Sequence, residues 1–184
     1  MTVGYGTMMR TAAGWEVRFE RRLKHPQQQV WDAIVGPGQM SQWFDRTEFP
    51  KKLKVGESIN FFHDAFDAKS SGRITAIDPP RLIEWTWIST FGPDQKMSWT
   101  VEPDGDGCRL ILVQWMGDLS LIGRTLAGWH VSLDRLQAKL DGVSGDHHAA
   151  AWPTLFDYYR GILQGRGFGV DQQGAPPPAV ISVT

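Results

Sequence analysis

His130 and His63 are the residues of this chain best suited by type to move a proton. His130 directly follows Trp129, at the edge of an apolar helical stripe. To act as a general base it needs a pocket position and a carboxylate that orients its ring. Without those it is a rim histidine bonded to backbone or water. His63 ends a strand-like run and falls on its inward side. Asp64 is its neighbour in sequence, but adjacent strand residues point to opposite faces, so spacing alone does not pair them. A structural role accounts for His63 as simply as a chemical one. His147 and His148 adjoin each other in a polar connector, and a histidine pair without a third ligand makes a poor metal site. Gln114 is expected to face inward, where it either orients a ligand carbonyl or bonds a helix end. Cys108 has no Lys, His or helix start beside it in sequence and reads as an inert, packed thiol. Arg73 and Arg109 read as surface charges. No Gly-rich phosphate loop, Cys-x-x-Cys, His-Glu-x-x-His or Gly-x-Ser-x-Gly is present. No cofactor and no metal are expected, and the residues do not favour an enzyme.

Nine tryptophans stand out beside these groups: Trp15, Trp31, Trp43, Trp85, Trp87, Trp99, Trp115, Trp129 and Trp152. Each offers a large flat surface and one donor that wants an acceptor. Core filling explains any one of them. Nine in 184 residues suggest that some line a space or an interface.

The elements that must position these residues follow from periodicity. Ile122, Leu126, Trp129, Leu133, Leu136 and Leu140 recur at alternating intervals of four and three, one face of a long amphipathic helix. Gly142 follows it, where helices commonly stop. Trp15–Leu23 alternates apolar with charged residues and predicts a first strand. Pro26 opens a short helix with Val30, Trp31, Ile34 and Val35 on its apolar face, and Met40, Trp43 and Phe44 suggest another. Five more strands are predicted, over Ser58–His63, Gly72–Ile77, Arg81–Thr90, Lys96–Val101 and Cys108–Met116. The turns between them, such as Asp78-Pro79-Pro80, are short and lack any helical pattern, which implies an antiparallel meander. Alternation points Met97, Trp99 and Val101 inward, together with Cys108, Leu110, Leu112 and Gln114. Ile83, Trp85 and Trp87 share one side of their strand. Ile111, Val113 and Trp115 face outward. A further amphipathic helix is expected near 153–164. The expected divisions are a loose arm over 1–13, a main domain over 14–142, a connector with a docked helix over 143–164, and an extended tail over 165–184.

Composition narrows the function classes. The length suits one ordinary domain, and 41% apolar residues suffice for a real core. A formal net charge of −1 without like-charge runs argues against nucleic-acid binding. A single cysteine leaves no internal disulfide and suits a reducing compartment. No apolar run approaches the roughly 18 residues of a membrane span, and no secretory leader is apparent at residues 1–14. A cytoplasmic location is expected.

The order strand, two short helices, five strands, long helix resembles the START-like (SRPBCC) superfamily of helix-grip proteins. Within it, the chain is most similar to the group related to the C-terminal domain of the heat-shock ATPase activator. The matching passages are Pro26 with Val30-Trp31-Asp32-Ala33-Ile34, Trp43-Phe44, Gly72-Arg73-Ile74 leading to Asp78-Pro79-Pro80-Arg81-Leu82, Gly107-Cys108-Arg109-Leu110, and Gly128-Trp129 with Leu133 and Leu136. Cys108 stands where that group usually has Thr. The resemblance implies an α+β fold of about six antiparallel strands curled around a long C-terminal helix, often with a cavity between them. It also implies apolar ligands such as lipids, sterols or polyketides, with some relatives acting as cyclases or aromatases.

The combined reading is a protein that binds a small hydrophobic or aromatic molecule between sheet and helix. The candidate pocket residues are Trp43, Phe44, Phe61, His63, Trp85, Trp87, Trp99, Leu112, Gln114, Leu126, Trp129, His130 and Leu133. His63, His130 or Gln114 would orient the ligand. Two alternatives stand beside it. One is an interaction module that uses the outer face of Ile111, Val113 and Trp115, with a homodimer as one form. The other is a cyclase-like or hydrolase-like enzyme, which requires a carboxylate within hydrogen-bond reach of His63 or His130.

Overall fold

In the computed structural model, residues 4–64, 67–88, 95–143 and 149–166 are described. The expected tail, His147 and His148 lie outside them, apart from Gly165 and Arg166. The described chain forms strands β1 (Thr7–Thr11), β2 (Gly14–Leu23), β3 (Arg46–Glu48), β4 (Ser58–His63), β5 (Ala68–Asp78), β6 (Leu82–Trp87), β7 (Gln95–Asp104) and β8 (Gly107–Met116). Its helices are α1 (Gln27–Val35), α2 (Ile122–Leu140) and α3 (Trp152–Gly165), with short 3₁₀ turns at Met40–Gln42, Leu119–Leu121 and Ala149–Ala151.

The strands make one antiparallel sheet in the order β1-β2-β8-β7-β6-β5-β4-β3. That is eight strands rather than the six counted from sequence. The two additions are the sheet edges. β1 is largely exposed and carries no apolar alternation, and its hairpin turn through Ala12-Ala13 lacks the usual Gly or Asn signal. β3 has three residues, too few to show a period.

The facing of the long strands follows the period of two. Val17, Phe19 and Leu23 of β2, Ile59 and Phe61 of β4, Ile83, Trp85 and Trp87 of β6, Met97, Trp99 and Val101 of β7, and Cys108, Leu110 and Leu112 of β8 are all buried. They form the inner face. On the outer face, Ile111 and Val113 are 8% and 7% exposed, so the outward apolar stripe is covered rather than open. Across the strands, Ile111 faces Glu20 and Thr100, and Val113 faces Arg18 and Ser98. Trp115 lies under the Lys96 ammonium, 5.2 Å from its ring centre. Long charged side chains thus shield this stripe with their stems.

Two glycines allow close approaches that no side chain would fit. A Cβ at Gly72 would lie 2.2 Å from the Thr86 carbonyl oxygen and 3.1 Å from Cδ1 of Trp85. A Cβ at Gly107 would lie 2.0 Å from the Leu23 carbonyl oxygen. Both belong to passages that carry the family resemblance, and here they let neighbouring backbones close over the core.

α2 buries Ile122, Leu126, Trp129, Leu133 and Leu136 of its predicted stripe, leaves Leu140 half-buried, and also buries Ala127, His130, Val131 and Ser132. Within the second set, His130 is covered by α3, whose Tyr159 hydroxyl lies 2.8 Å from its Nδ1. Gly123 of α2 sits against Phe156 and Leu163 of α3, and α3 buries Trp152, Phe156, Tyr159 and Leu163 at helical spacing. Among the described residues, no helix is long and apolar enough to cross a membrane.

Cys108 points into the core at 1% exposure. Burial, helped by the nearby Asp104 carboxylate, pushes its thiol up to about 11. Since the thiolate is the reactive form, Cys108 is expected to ignore a disulfide reagent such as DTNB at pH 8 in the folded protein. It should titrate as one thiol in guanidinium. Rapid modification of the native chain would contradict this placement.

Candidate functional site

Between the inner face of the sheet and α2, the aromatic residues form one continuous cluster. Trp129 of α2 stacks on Phe44 at 4.9 Å between ring centres and meets Trp99 and Trp87 edge-on at 5.4 and 6.4 Å. Trp99 stacks with Trp85 at 6.1 Å and meets Trp43 at 6.0 Å. Phe61 stacks on Trp87 at 4.2 Å and leans on Trp85 at 6.2 Å. Phe49, which belongs to none of the predicted elements, meets Trp85 at 6.1 Å. Trp43, Phe61, Trp85 and Trp99 are fully buried, while Phe44 is only half-buried. Edge-on and offset pairs of this kind add to the gain from burial alone.

The polar atoms of the cluster fall into two classes. Some are satisfied. The Trp43 indole donates to the Ala33 carbonyl at 2.9 Å, which ties the cluster to α1. The Trp129 indole donates to Oε1 of Gln114 at 2.5 Å. The Gln114 amide in turn donates to Oε1 of Gln95. Gln114 therefore bonds a side chain of α2 rather than a helix end. The second class is Nε1 of Trp85 and Nε1 of Trp99, which are buried and have no acceptor among the described residues. A buried donor without a partner is unfavourable by about 1–3 kcal/mol, and most such donors find one.

His63 sits at the β4 end of the cluster, 6.2 Å from Trp87 between ring centres. Its Nδ1 lies 2.5 Å from Oδ2 of Asp45, and its Nε2 lies 2.9 Å from Oγ of Ser70. The carboxylate partner is Asp45, not the sequence neighbour Asp64, which instead pairs with Arg46 on the surface. Ser70 had no signal in the linear sequence. It comes from β5, where Phe61 and Ser70 are cross-strand partners.

His130 is held elsewhere, at 1% exposure. Its Nδ1 is 2.8 Å from the Tyr159 hydroxyl, which also accepts the Gly6 N–H at 2.8 Å. Its Nε2 is 3.7 Å from Asp134, whose other carboxylate oxygen is 3.5 Å from the buried Arg21 guanidinium. Tyr5 of the N-terminal segment closes over it at 5.1 Å. Leu126 lies near this second cluster, since a Cβ on Gly6 would reach both Leu126 and Phe19. Leu112 and Leu133 are buried core residues. The structure thus gathers Trp43, Phe44, Phe61, His63, Trp85, Trp87, Trp99, Gln114 and Trp129 into one contiguous cluster, and puts His130 with Arg21, Asp134 and Tyr159.

Burial lowers the His130 pKa from its ordinary value of 6.5; Asp134 opposes the shift and Arg21 reinforces it. With the folded value below the unfolded one, the unfolded chain binds more protons in between. Stability therefore falls as pH drops below about 6.5. Melting temperature is expected to decline from pH 7.5 to pH 5, and more shallowly in His130→Gln. An equal decline in both proteins would remove His130 as the cause.

The chain belongs to the family of Activator of Hsp90 ATPase homolog 1-like proteins, whose match covers residues 24–141. No curated protein matches the sequence. In structure the chain is similar to CalU16 from Micromonospora echinospora, with a TM-score of 0.72 and 20% identity over 87% of this chain and 98% of that one. It is similar to the conserved protein of unknown function EF2215 from Enterococcus faecalis, with a TM-score of 0.73 and 16% identity over 87% and 91%. It is also similar to DynU16, described as a putative protein in the dynemicin biosynthetic locus. There the TM-score is 0.61 and the identity 22%, over 68% of this chain and 47% of that one. These likenesses establish the helix-grip architecture: an antiparallel sheet with a long C-terminal helix and a further short one.

Proposed function

We propose that this protein binds a flat, apolar aromatic molecule bearing an acceptor oxygen, between the inner face of the sheet and α2. The observation that carries the proposal is the pair of buried indole donors, Nε1 of Trp85 and of Trp99, that have no acceptor among the described residues. A ligand carbonyl or phenolic oxygen would satisfy one or both. The surrounding rings would supply stacking surfaces with little rotamer freedom to lose. Burying the ligand's apolar surface contributes about 25 cal/mol per Å² before ordering costs. Phe44, half-buried and stacked on Trp129, is the ring whose rotation would open the site.

The test is a titration of the full chain with 2-naphthol and a graded series of hydroxylated and carbonyl-bearing polycyclic aromatics. Tryptophan emission should change saturably, and the melting temperature should rise. Ligand at 100 times its Kd adds about 2.7 kcal/mol of stability. If neither emission nor melting responds to any member of the series, the proposal is wrong.

A further inference from the structure

The group at the β4 end of the aromatic cluster has the connectivity of an acyl-transfer relay. The Asp45 carboxylate lies 2.5 Å from Nδ1 of His63, and Nε2 of His63 lies 2.9 Å from the Ser70 hydroxyl. A carboxylate at Nδ1 holds the proton on that nitrogen. That leaves the Nε2 lone pair to accept from Ser70. This is the order of contacts in which a histidine takes a proton from a serine while a carboxylate fixes its tautomer. The residues come from three separate parts of the chain: Asp45 from the turn before β3, His63 from the end of β4, and Ser70 from β5. All three are shielded from water; the Asp45 and His63 side chains are 16% and 10% exposed, and Ser70 is 2% exposed. Such shielding strengthens charge interactions within the relay. The relay also adjoins the proposed ligand space, because the His63 ring lies against Trp87, which stacks on Phe61. Trp85, one inward position along β6 from Trp87, carries one of the two indole donors that have no acceptor among the described residues. That is the kind of group able to meet an oxygen that gains charge.

We infer that Ser70 is a nucleophile and His63 its general base, acting on carboxylic esters of the aromatic ligand class. In the first step the Ser70 Oγ–H proton passes to Nε2 of His63, and a bond forms between Oγ and the acyl carbon. The bond from that carbon to the alcohol oxygen breaks, and the proton on Nε2 passes to the departing alkoxide. In the second step water loses a proton to Nε2 and attacks the acyl carbon. The bond to Oγ breaks, and Ser70 recovers its proton. The net reaction is ester plus water to carboxylic acid plus alcohol. This inference rests on the binding proposal above, since the ester must enter that same space.

The test treats the full chain with a naphthyl-bearing fluorophosphonate, follows intact mass, and maps the adduct by peptide. In parallel, 1-naphthyl acetate hydrolysis and the tryptophan response to 2-naphthol are measured. A single adduct on Ser70 is expected. His63→Ala should slow both labelling and hydrolysis by about 10² to 10⁴-fold. Ser70→Ala, which keeps nearly the same volume, should lose the adduct while keeping the 2-naphthol response. An adduct elsewhere, or no adduct while 2-naphthol still perturbs the tryptophans, overturns the relay and leaves the binding proposal standing. No adduct and no 2-naphthol response overturns both.

Discussion

Trp99→Ala is expected to lower stability by about 3–5 kcal/mol, the range for emptying a large aromatic site in a core. Trp99 is fully buried and meets three other indoles, Trp43, Trp85 and Trp129, so its loss opens a hole where the sheet, α2 and the turn before β3 converge. The same change removes one of the two indole donors that have no acceptor among the described residues. Trp99→Phe narrows the comparison, because it keeps an aromatic ring in the core while discarding the indole N–H and a smaller part of the buried volume. Urea unfolding should show a large loss for the alanine variant and a much smaller one for the phenylalanine variant. The phenylalanine variant should bind oxygen-bearing aromatics more weakly but leave binding of plain naphthalene almost unchanged. Equal affinity of wild type and Trp99→Phe for 2-naphthol would remove Trp99 from the recognition scheme.

Gly72→Ala carries the second large effect. The new methyl would lie 2.2 Å from the Thr86 carbonyl oxygen, where backbone must move because no flexible side chain can give way. Forced overpacking of this kind is unfavourable by about 1–3 kcal/mol or more. The displaced strand is β6, which carries Trp85 and Trp87. The damage therefore reaches the site as well as the fold. Thermal unfolding should show a drop of several degrees or more in a domain of this size. A melting temperature within a degree of wild type would mean that β5 and β6 are not so closely apposed.

Much of the architecture was legible in the sequence, for reasons tied to particular residues. The spacing from Ile122 to Leu140 marks α2, because a helix facing a sheet must repeat its apolar side every three or four residues. Cys108, Leu110, Leu112 and Gln114 face inward as read, because alternation survives wherever one face of a strand is buried. β1 and β3 were missed, since an exposed edge and a three-residue strand leave no periodic trace.

The same omission hid the partners of His63. With β3 in place, its register sets Arg46 opposite Phe62, and so brings Asp45 beside His63. The β4–β5 register sets Phe61 opposite Ser70 and His63 opposite Ala68, making Ser70 a diagonal neighbour of His63 on the inner face. The polar links across 18 and 7 residues are thus products of strand register, which periodicity does not specify. His130 illustrates the opposite limit. Its helix position was evident, but its surroundings depend on α3 and on the N-terminal segment folding over α2. The contacts of Tyr159 and Tyr5 with it span 29 and 125 positions of chain.

The most direct measurement is the indole N–H region of the ¹H–¹⁵N spectrum, with the signals of Trp85 and Trp99 assigned by their single Trp→Phe variants. On saturation with an oxygen-bearing aromatic such as 2-naphthol, the account predicts a downfield shift of one or both of these protons as they gain an acceptor. The Trp43 indole, already bonded to Ala33, should move far less. Indole signals of Trp85 and Trp99 that stay in place at saturating ligand would contradict it.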